Sequence, residues 1–170
     1  MGHRVSLFVG PSTTLRAIVS VAPRARVFAL TPAARFLVLP LTEEVHDDIH
    51  AQFGTGDWPE QGPLLSSTDL GLAQRASRGA ALAYVETDYF GGQGRQNALL
   101  WRDGALILQP SELTTEAAAA RSAPLRPINA VLRALGVVAV AGQDEFDTLG
   151  LGRWRSNDDI VAGAQAVSLA

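Results

Sequence analysis

The sequence contains no cysteine and no lysine. All 14 basic residues are arginines, in a chain of 170 residues. The absence of cysteine excludes disulfides, thiolate zinc sites and a cysteine nucleophile. It is typical of proteins from a reducing compartment, so we expect a cytoplasmic protein.

Long apolar runs and an excess of positive charge are also missing. The apolar segments at residues 5–9 and 137–141 are far shorter than the roughly 20 residues needed to span a bilayer. We therefore expect neither a secretory signal nor a membrane partner. The formal net charge of −3 argues against nucleic-acid binding, which needs clustered Lys and Arg.

The overall composition is that of an ordinary globular protein. With 47% hydrophobic and 18% charged residues, the chain is too apolar to remain disordered. Its length allows one substantial core and favours a single domain over residues 1–170.

Residues 80–109 form the stretch around which we expect the chain to be organised. The pattern predicts a strand at 80–87, a glycine-rich turn at 88–96, and a hairpin over 97–109. Asp103-Gly104, between two apolar runs, is a strong signal for a type I′ turn.

That turn also predicts the pairing of the hairpin strands. It places Arg102 opposite Ala105, Trp101 opposite Leu106, Leu100 opposite Ile107 and Leu99 opposite Leu108. Bulky apolar pairs then lie on both faces, so we expect both strands to be covered on both sides.

The first half of the chain has the spacing of a parallel β-α-β unit. A strand at 5–9 precedes a helix with an apolar stripe through Leu15, Ile18, Val19 and Ala22, capped by Ser12 or Thr13. Short strands follow at 27–30 and 36–39.

Three further helices are predicted from local signals. Thr42 is expected to cap a helix that has Glu43 and Glu44 in its first turn and buries Val45, Ile49 and Phe53.

Ser66 or Ser67 is expected to cap a second helix that stops at Gly79, and Pro127 to begin a third that ends at Gly136. Propensity also favours helix at 112–121, and 156–162 is expected to add a last helical turn. Together these elements predict one α/β domain with a mixed sheet of about five or six strands and helices on its faces.

The glycine-rich turn is the first candidate site. The backbone of Gly91-Gly92-Gln93-Gly94 could hold an anion, but a strand follows where a dinucleotide fingerprint requires a helix. We favour a sharp strand connection. Glu86 and Asp88, two residues apart on a strand, leave the same face and could act as a carboxylate pair or hold a divalent cation; Arg95 and Gln96 could instead bind the carboxylates structurally.

Two histidines on the helix after Thr42 are the second candidate. His46 and His50 lie four residues apart, a spacing at which two imidazoles can share a metal. Together with Glu43 and Asp47 they match the polar face of any amphipathic helix. We interpret them as a solvated face and predict no metal site and no cofactor.

The tail at residues 144–155 is the third candidate. It combines Asp144, Glu145 and Asp147 with Arg153, Trp154 and Arg155. Such a cluster could be an ion-pair network that holds the tail on the sheet, or a recognition surface, since Trp and Arg are frequent interface anchors. We expect this tail to lie beside the turn at residues 86–96.

Two motifs resemble those of a group of small bacterial proteins of unassigned activity. They are YVETDYFGGQGRQ at residues 84–96 and the segment with DEFD at 144–147 and GLGR at 150–153. The similarity extends over most of the chain. Members of the group are similar to single-domain proteins encoded near secreted toxins, and this resemblance implies an immunity or antitoxin-like role.

The absence of any recognisable catalytic motif and the resemblance together favour binding over catalysis. The expected function is that of an immunity-type protein that neutralises a bacterial toxin, its acidic residues facing a basic partner. The alternative is a small enzyme or ligand-binding domain that uses Glu86 and Asp88, with or without a divalent cation. The predicted binding residues are Glu86, Asp88, Tyr89, Phe90, Gly92, Gln93, Arg95, Gln96, Asp144, Glu145, Asp147, Arg153, Trp154 and Arg155.

Overall fold

A computed structural model describes residues 2–32, 35–91, 93–114 and 126–169. These residues form an α/β structure around one antiparallel sheet. The sheet order is β6-β5-β4-β1-β3-β2-β8, and the short β7 pairs with β5 beside β6. The strands are β1 (His3–Gly10), β2 (Val27–Ala29), β3 (Leu37–Pro40), β4 (Leu82–Phe90), β5 (Gln93–Arg102), β6 (Ala105–Leu108), β7 (Leu113–Thr114) and β8 (Gln165–Val167).

Helices cover both faces of this sheet. In the described part of the chain they are α1 (Ser12–Val19), α2 (Glu43–Phe53), α3 (Ser67–Ala76), α4 (Pro127–Leu135), α5 (Glu145–Leu149) and α6 (Asn157–Gly163), with a 3-10 turn at Leu151–Arg153. Residues of α1, α2 and α3 pack into one core on the face of Phe8 and Tyr84. Residues of α4, α5 and α6 pack into a second core on the face of Leu7 and Val85. No described helix is long and apolar enough to cross a membrane.

The expected mixed sheet with a parallel β-α-β start is wrong. All strand pairs among the described residues are antiparallel, and the sheet has eight strands where five or six were expected. β2, the strand after α1, does run in the same direction as β1, but β2 is not the neighbour of β1. β3 turns back and inserts between the two, pairing with β1 on one side and β2 on the other. The local spacing predicted that the strand after α1 runs parallel to β1. It could not predict that β3 lies between these two strands.

Most of the predicted helix signals are confirmed. Ser66 caps α3 in a full capping box with Asp69, and Thr42 lies at the N-cap of α2 ahead of Glu43 and Glu44. Pro127 begins α4 and Gly136 ends it with a left-handed φ of 115°. Phe53, predicted to be buried at the end of α2, is 43% exposed instead, because α2 packs on the sheet only through Val45 and Ile49.

The β5–β6 hairpin has the predicted turn and half of the predicted register. Asp103 and Gly104 have φ of 51° and 78°, as a type I′ turn requires. Arg102 faces Ala105 and Trp101 faces Leu106, but a bulge then places Leu100 opposite Leu108. The expected Leu100–Ile107 and Leu99–Leu108 pairs are therefore wrong. β6 lies near the sheet edge and is largely exposed, so the expectation that it is covered on both faces is also wrong.

The predicted nine-residue turn at 88–96 is mostly strand. β4 continues to Phe90 and pairs with β5 from Gln93 onward, so the connection is a tight turn in which Gly91 has a φ of 61°. The helix predicted at 112–121 conflicts with β7 at Leu113–Thr114, and its residues beyond 114 lie outside the described residues.

Candidate functional site

Two cavities open at one end of the sheet, on opposite faces. At this end β1 begins, β4 ends and β5 begins, since His3 pairs with Tyr89 and Tyr89 pairs with Gly94. Because side chains alternate along a strand, Glu86 and Asp88 point to one cavity and Tyr89 to the other. The first cavity is called the acidic cleft below, and the second the Tyr89 pocket.

The acidic cleft has a volume of about 570 Å³. The start of α2, the start of α6 and the loop at residues 54–66 form its walls around the ends of β1 and β4. Five carboxylates and one guanidinium, that of Arg4, line it. The acids are Glu43, Glu44, Glu86, Asp88 and Asp158. The cleft therefore has a strong excess of negative charge, and all of these acids except Glu86 are wholly or partly exposed.

Glu86 belongs to the floor of this cleft and is 1% exposed. Its Oε2 accepts hydrogen bonds from the Tyr84 hydroxyl at 2.6 Å and from the Leu64 backbone N–H at 2.7 Å. Its Oε1 accepts from the side chain of Asn97 at 3.3 Å. Both oxygens are thus engaged in holding the loop to the sheet, a structural role rather than that of a free acid or base.

Tyr84 shares this buried environment. Burial raises the pKa of its hydroxyl well above the ordinary value, and the neighbouring Glu86 carboxylate raises it further. Arg95, which the sequence suggested as a partner for Glu86, lies 3.7 Å from Glu112 instead. Asp88 remains half-exposed at the mouth of the cleft.

A second set of polar side chains lies beside the cleft, between α2 and α3. The His46 Nδ1 atom is 3.4 Å from one oxygen of Asp69, and the His50 Nε2 atom is 3.8 Å from the other. Asp69 is fully buried, while the side chains of His46 and His50 are 19% and 15% exposed. This group is called the His–Asp cluster below. The two histidines do not form the solvated helix face that the sequence predicted.

Neighbouring residues hold the His–Asp cluster in place. The backbone N–H and hydroxyl of Ser66 both donate to Asp69 Oδ2 at 2.9 Å. Burial by itself would raise the pKa of Asp69, but His46 and these Ser66 donors outweigh it, so the pKa lies below its ordinary value. The ring of Trp58 lies 5.7 Å from that of His46 and 5.9 Å from that of His50, and is 47% exposed.

The Tyr89 pocket has a volume of about 340 Å³ on the opposite face. Three of the predicted residues, Tyr89, Gln96 and Asp144, line it together with His3 and Arg126. Gln96 connects β4 and α4 across this pocket: its side chain donates a hydrogen bond to the Tyr89 hydroxyl and accepts one from the N–H of Ile128. Burial lowers the pKa of His3, whose Nδ1 lies 2.7 Å from the Thr87 hydroxyl.

The predicted turn and tail therefore share one pocket, but only through part of their residues. Within the tail, Glu145 forms a 2.7 Å ion pair with Arg133, and Asp144 caps α5 by accepting from the N–H of Asp147. Trp154 is half-buried, and its Nε1 has no partner among the described residues.

One of the two alternatives for the tail was an ion-pair network, and the acids and arginines of the tail do not form one with each other. Across the described ranges no salt bridge joins Arg153 or Arg155 to the tail acids, because Glu145 points to α4 and Asp144 to Asn129. Both arginines are exposed.

Two other predicted residues, Phe90 and Gln93, lie at the tip of the β4–β5 hairpin. Phe90 is 80% exposed and Gln93 is exposed beside it. Gly92 lies outside the described residues. Glu86 and Asp88, on the other sheet face, do not line the Tyr89 pocket.

Several residues of these sites were not predicted from the sequence. Arg4, Trp58, Asp69 and the neighbouring pair Asn157 and Asp158 come from four separate segments, and none of them lies in a recognisable binding motif. The one available signal was the spacing of His46 and His50. Asp69, the third residue of the His–Asp cluster, lies more than fifteen residues further along the chain. Comparison of the chain with protein-family models, curated proteins and solved structures found no match.

Proposed function

We propose that the protein is a binding protein of the immunity type, which captures a basic segment of a toxin in the acidic cleft. The observation that carries this proposal is the charge of the cleft, where five carboxylates oppose the single guanidinium of Arg4. The resemblance of residues 84–96 and 144–153 to proteins encoded near secreted toxins supplies the class of partner.

The shape of the cleft supports a protein partner. Trp58 stands 47% exposed at its wall and offers a large apolar surface beside the carboxylates. An aromatic anchor within a charged rim is the usual composition of a binding hot spot. A Lys or Arg side chain entering the cleft could place its stem against Trp58 and its charge among the acids.

The alternative, an enzyme or ligand-binding domain that uses Glu86 and Asp88, has less support. Glu86 already accepts three hydrogen bonds and is closed off from solvent. A general acid or base must reach a proton of its substrate, which this carboxylate could do only after losing those bonds.

The proposal is tested by measuring association with the product of the neighbouring gene, the position expected of a partner toxin. We expect a one-to-one complex. The double variant Asp88→Asn and Asp158→Asn should lower the association rate by about 10-fold or more in low salt and much less in high salt, because complementary charge steers association. Trp58→Ala should raise Kd by roughly 30-fold, as truncation of a hot-spot residue does.

Asp103→Asn provides the matched control. It removes one carboxylate from an exposed turn outside the cleft and keeps a residue that tolerates positive φ. This variant should bind like the unchanged protein. The proposal fails if the product of the neighbouring gene does not bind, or if the cleft variants bind as tightly and as fast as Asp103→Asn.

A further inference from the structure

The His–Asp cluster brings three potential metal ligands together, and we propose that it binds one divalent transition-metal ion, with Zn²⁺ the best fit. The ligands are His46, His50 and Asp69, whose donor atoms all lie within 4.8 Å of one another. This inference does not rest on the proposed function, since it concerns a cluster between α2 and α3 and needs no protein partner.

The spacing of the donor atoms is suited to a shared ion. With metal–ligand bonds of about 2.0–2.2 Å, the donors of a tetrahedral zinc site lie about 3.3–3.6 Å apart. The observed separations, close to this range, are 3.4 Å from His46 Nδ1 to Asp69 Oδ2 and 3.8 Å from His50 Nε2 to Asp69 Oδ1. Both are long for a hydrogen bond, whose usual N···O distance is about 2.9–3.0 Å.

Two of the donor atoms are buried without a partner. Among the described residues, His46 Nδ1 and Asp69 Oδ1 make no hydrogen bond. An unsatisfied buried polar atom costs roughly 1–3 kcal/mol, so such atoms call for an explanation. An ion bound between them would satisfy both at once.

The surroundings of the cluster complete a metal site. Ser66 donates twice to Asp69 Oδ2, which orients the carboxylate and leaves Oδ1 as the free ligand. His46 also lines the acidic cleft, so an ion can enter from a cavity whose negative charge attracts cations. The three protein donors leave a fourth coordination position for water or another ligand.

The donor types favour zinc over the hard cations. Two imidazole nitrogens and one carboxylate oxygen suit Zn²⁺ and similar transition metals, whereas Mg²⁺ and Ca²⁺ prefer oxygen ligands throughout. Three protein ligands with one open position is the arrangement of zinc sites that keep an exchangeable ligand.

The test is a metal titration of the full chain after removal of bound metal with a chelator. We expect one Zn²⁺ per chain by calorimetry, a Zn²⁺-dependent rise in Tm, and no binding of Mg²⁺. His46→Gln and His50→Gln should each weaken Zn²⁺ binding by at least about 100-fold, since losing only an outer partner already costs roughly 10–100-fold.

The third histidine of the chain gives the matched control. His3 lies in the Tyr89 pocket on the other face of the sheet, so His3→Gln should leave Zn²⁺ affinity unchanged. The proposal is overturned if Zn²⁺ does not bind, if His50→Gln binds it as tightly as the unchanged protein, or if His3→Gln weakens binding equally. The cluster would then be a simple ion pair.

A measurement on the unchanged protein decides the matter even if a variant fails to fold. Nitrogen-detected NMR of the three imidazoles should show Zn²⁺ shifting one ring nitrogen of His46 and one of His50. The His3 signals should stay in place. Shifts confined to His3, or none at all, contradict the site.

Discussion

At the scale of single residues, the buried pair of Tyr84 and Glu86 shows how hydrogen bonds hold polar side chains inside this protein. Hydrogen bonds, not a cation, satisfy the Glu86 carboxylate, from the Tyr84 hydroxyl, the Leu64 N–H and the Asn97 amide. A buried carboxyl group that accepts three hydrogen bonds is satisfied without contact with solvent. It ties the loop at residues 54–66 to the sheet and so shapes one wall of the acidic cleft.

We predict that Tyr84 makes the protein unstable in alkali. Its folded-state pKa lies well above the value of about 10 in the unfolded chain. Above about pH 10 the unfolded state releases the proton while the folded state retains it. Stability is therefore complete below pH 10 and falls as the pH rises, by up to about 1.4 kcal/mol per pH unit.

The measurement is the free energy of unfolding in urea between pH 8.5 and 11. Tyr84→Phe should remove most of the alkaline loss, although the lost hydrogen bond lowers stability by about 1 kcal/mol at neutral pH. The absence of lysine and cysteine simplifies the comparison, because few other side chains titrate in this range. Tyr89→Phe is the control and should lose stability in alkali as the unchanged protein does. If the free energy of unfolding falls with pH equally in both variants, Tyr84 is not the cause of the alkaline loss.

At the scale of elements, the β4–β5 hairpin depends on one glycine. Gly94 lies opposite Tyr89, where the two backbones approach so closely that a Cβ would contact the Asp88 carbonyl oxygen and lie 2.6 Å from the Tyr89 Cα. Backbone atoms of a paired strand cannot move aside without breaking the ladder. Gly94, the last glycine of the segment FGGQG at residues 90–94, is thus explained by close packing of two strands.

We predict that Gly94→Ala destabilises the protein by about 1–3 kcal/mol, the usual cost of overpacking. Denaturant unfolding measures this change. Gly71→Ala is the matched control, because an added Cβ there lies 3.5 Å from the tip of the Arg75 side chain, inside α3. Alanine should stabilise that helix by roughly 0.5–1 kcal/mol. A Gly94→Ala protein as stable as the unchanged one would disprove the close approach.

At the scale of the whole molecule, the C-terminal segment attaches to the first strand. Asn157 accepts from the Ser6 N–H at 3.0 Å and donates to the Leu41 carbonyl at 3.0 Å. The Arg4 N–H also donates to the Arg155 carbonyl at 2.7 Å. The Asn157 contacts join residues 151 and 116 positions apart, and they place the start of α6 at the wall of the acidic cleft.

We predict that Asn157→Ala loosens α6 and β8 without unfolding the rest of the sheet. The variant leaves the Ser6 N–H and the Leu41 carbonyl without their side-chain partner, at a cost of about 1–3 kcal/mol. Amide exchange in residues 156–167 should accelerate by roughly 10–100-fold, as local opening becomes easier.

Hydrogen–deuterium exchange with peptide resolution measures this effect. Asp158→Asn changes the neighbouring exposed residue and should leave exchange in the segment unaltered. Equal acceleration throughout the sheet, or none in residues 156–167, would contradict the role of Asn157 as a local clamp.

The sequence by itself determined the features that depend on near neighbours. The cap at Ser66, the Pro127 start and Gly136 end of α4, and the Asp103-Gly104 turn were all predictable. Each of these depends on the φ angles or hydrogen bonds of residues within about four positions. The α/β class follows from the same local patterns.

Only the tertiary structure decided which strands are neighbours and where polar side chains end up. The insertion of β3 between β1 and β2 depends on how distant strands pack into two cores. Glu86 is buried because Leu64 and Asn97 come from elsewhere in the chain to bind it, and His46 gains a buried partner because α3 packs beside α2. Local patterns carry no information on such contacts, because their free energy comes from groups that meet only after the chain has folded.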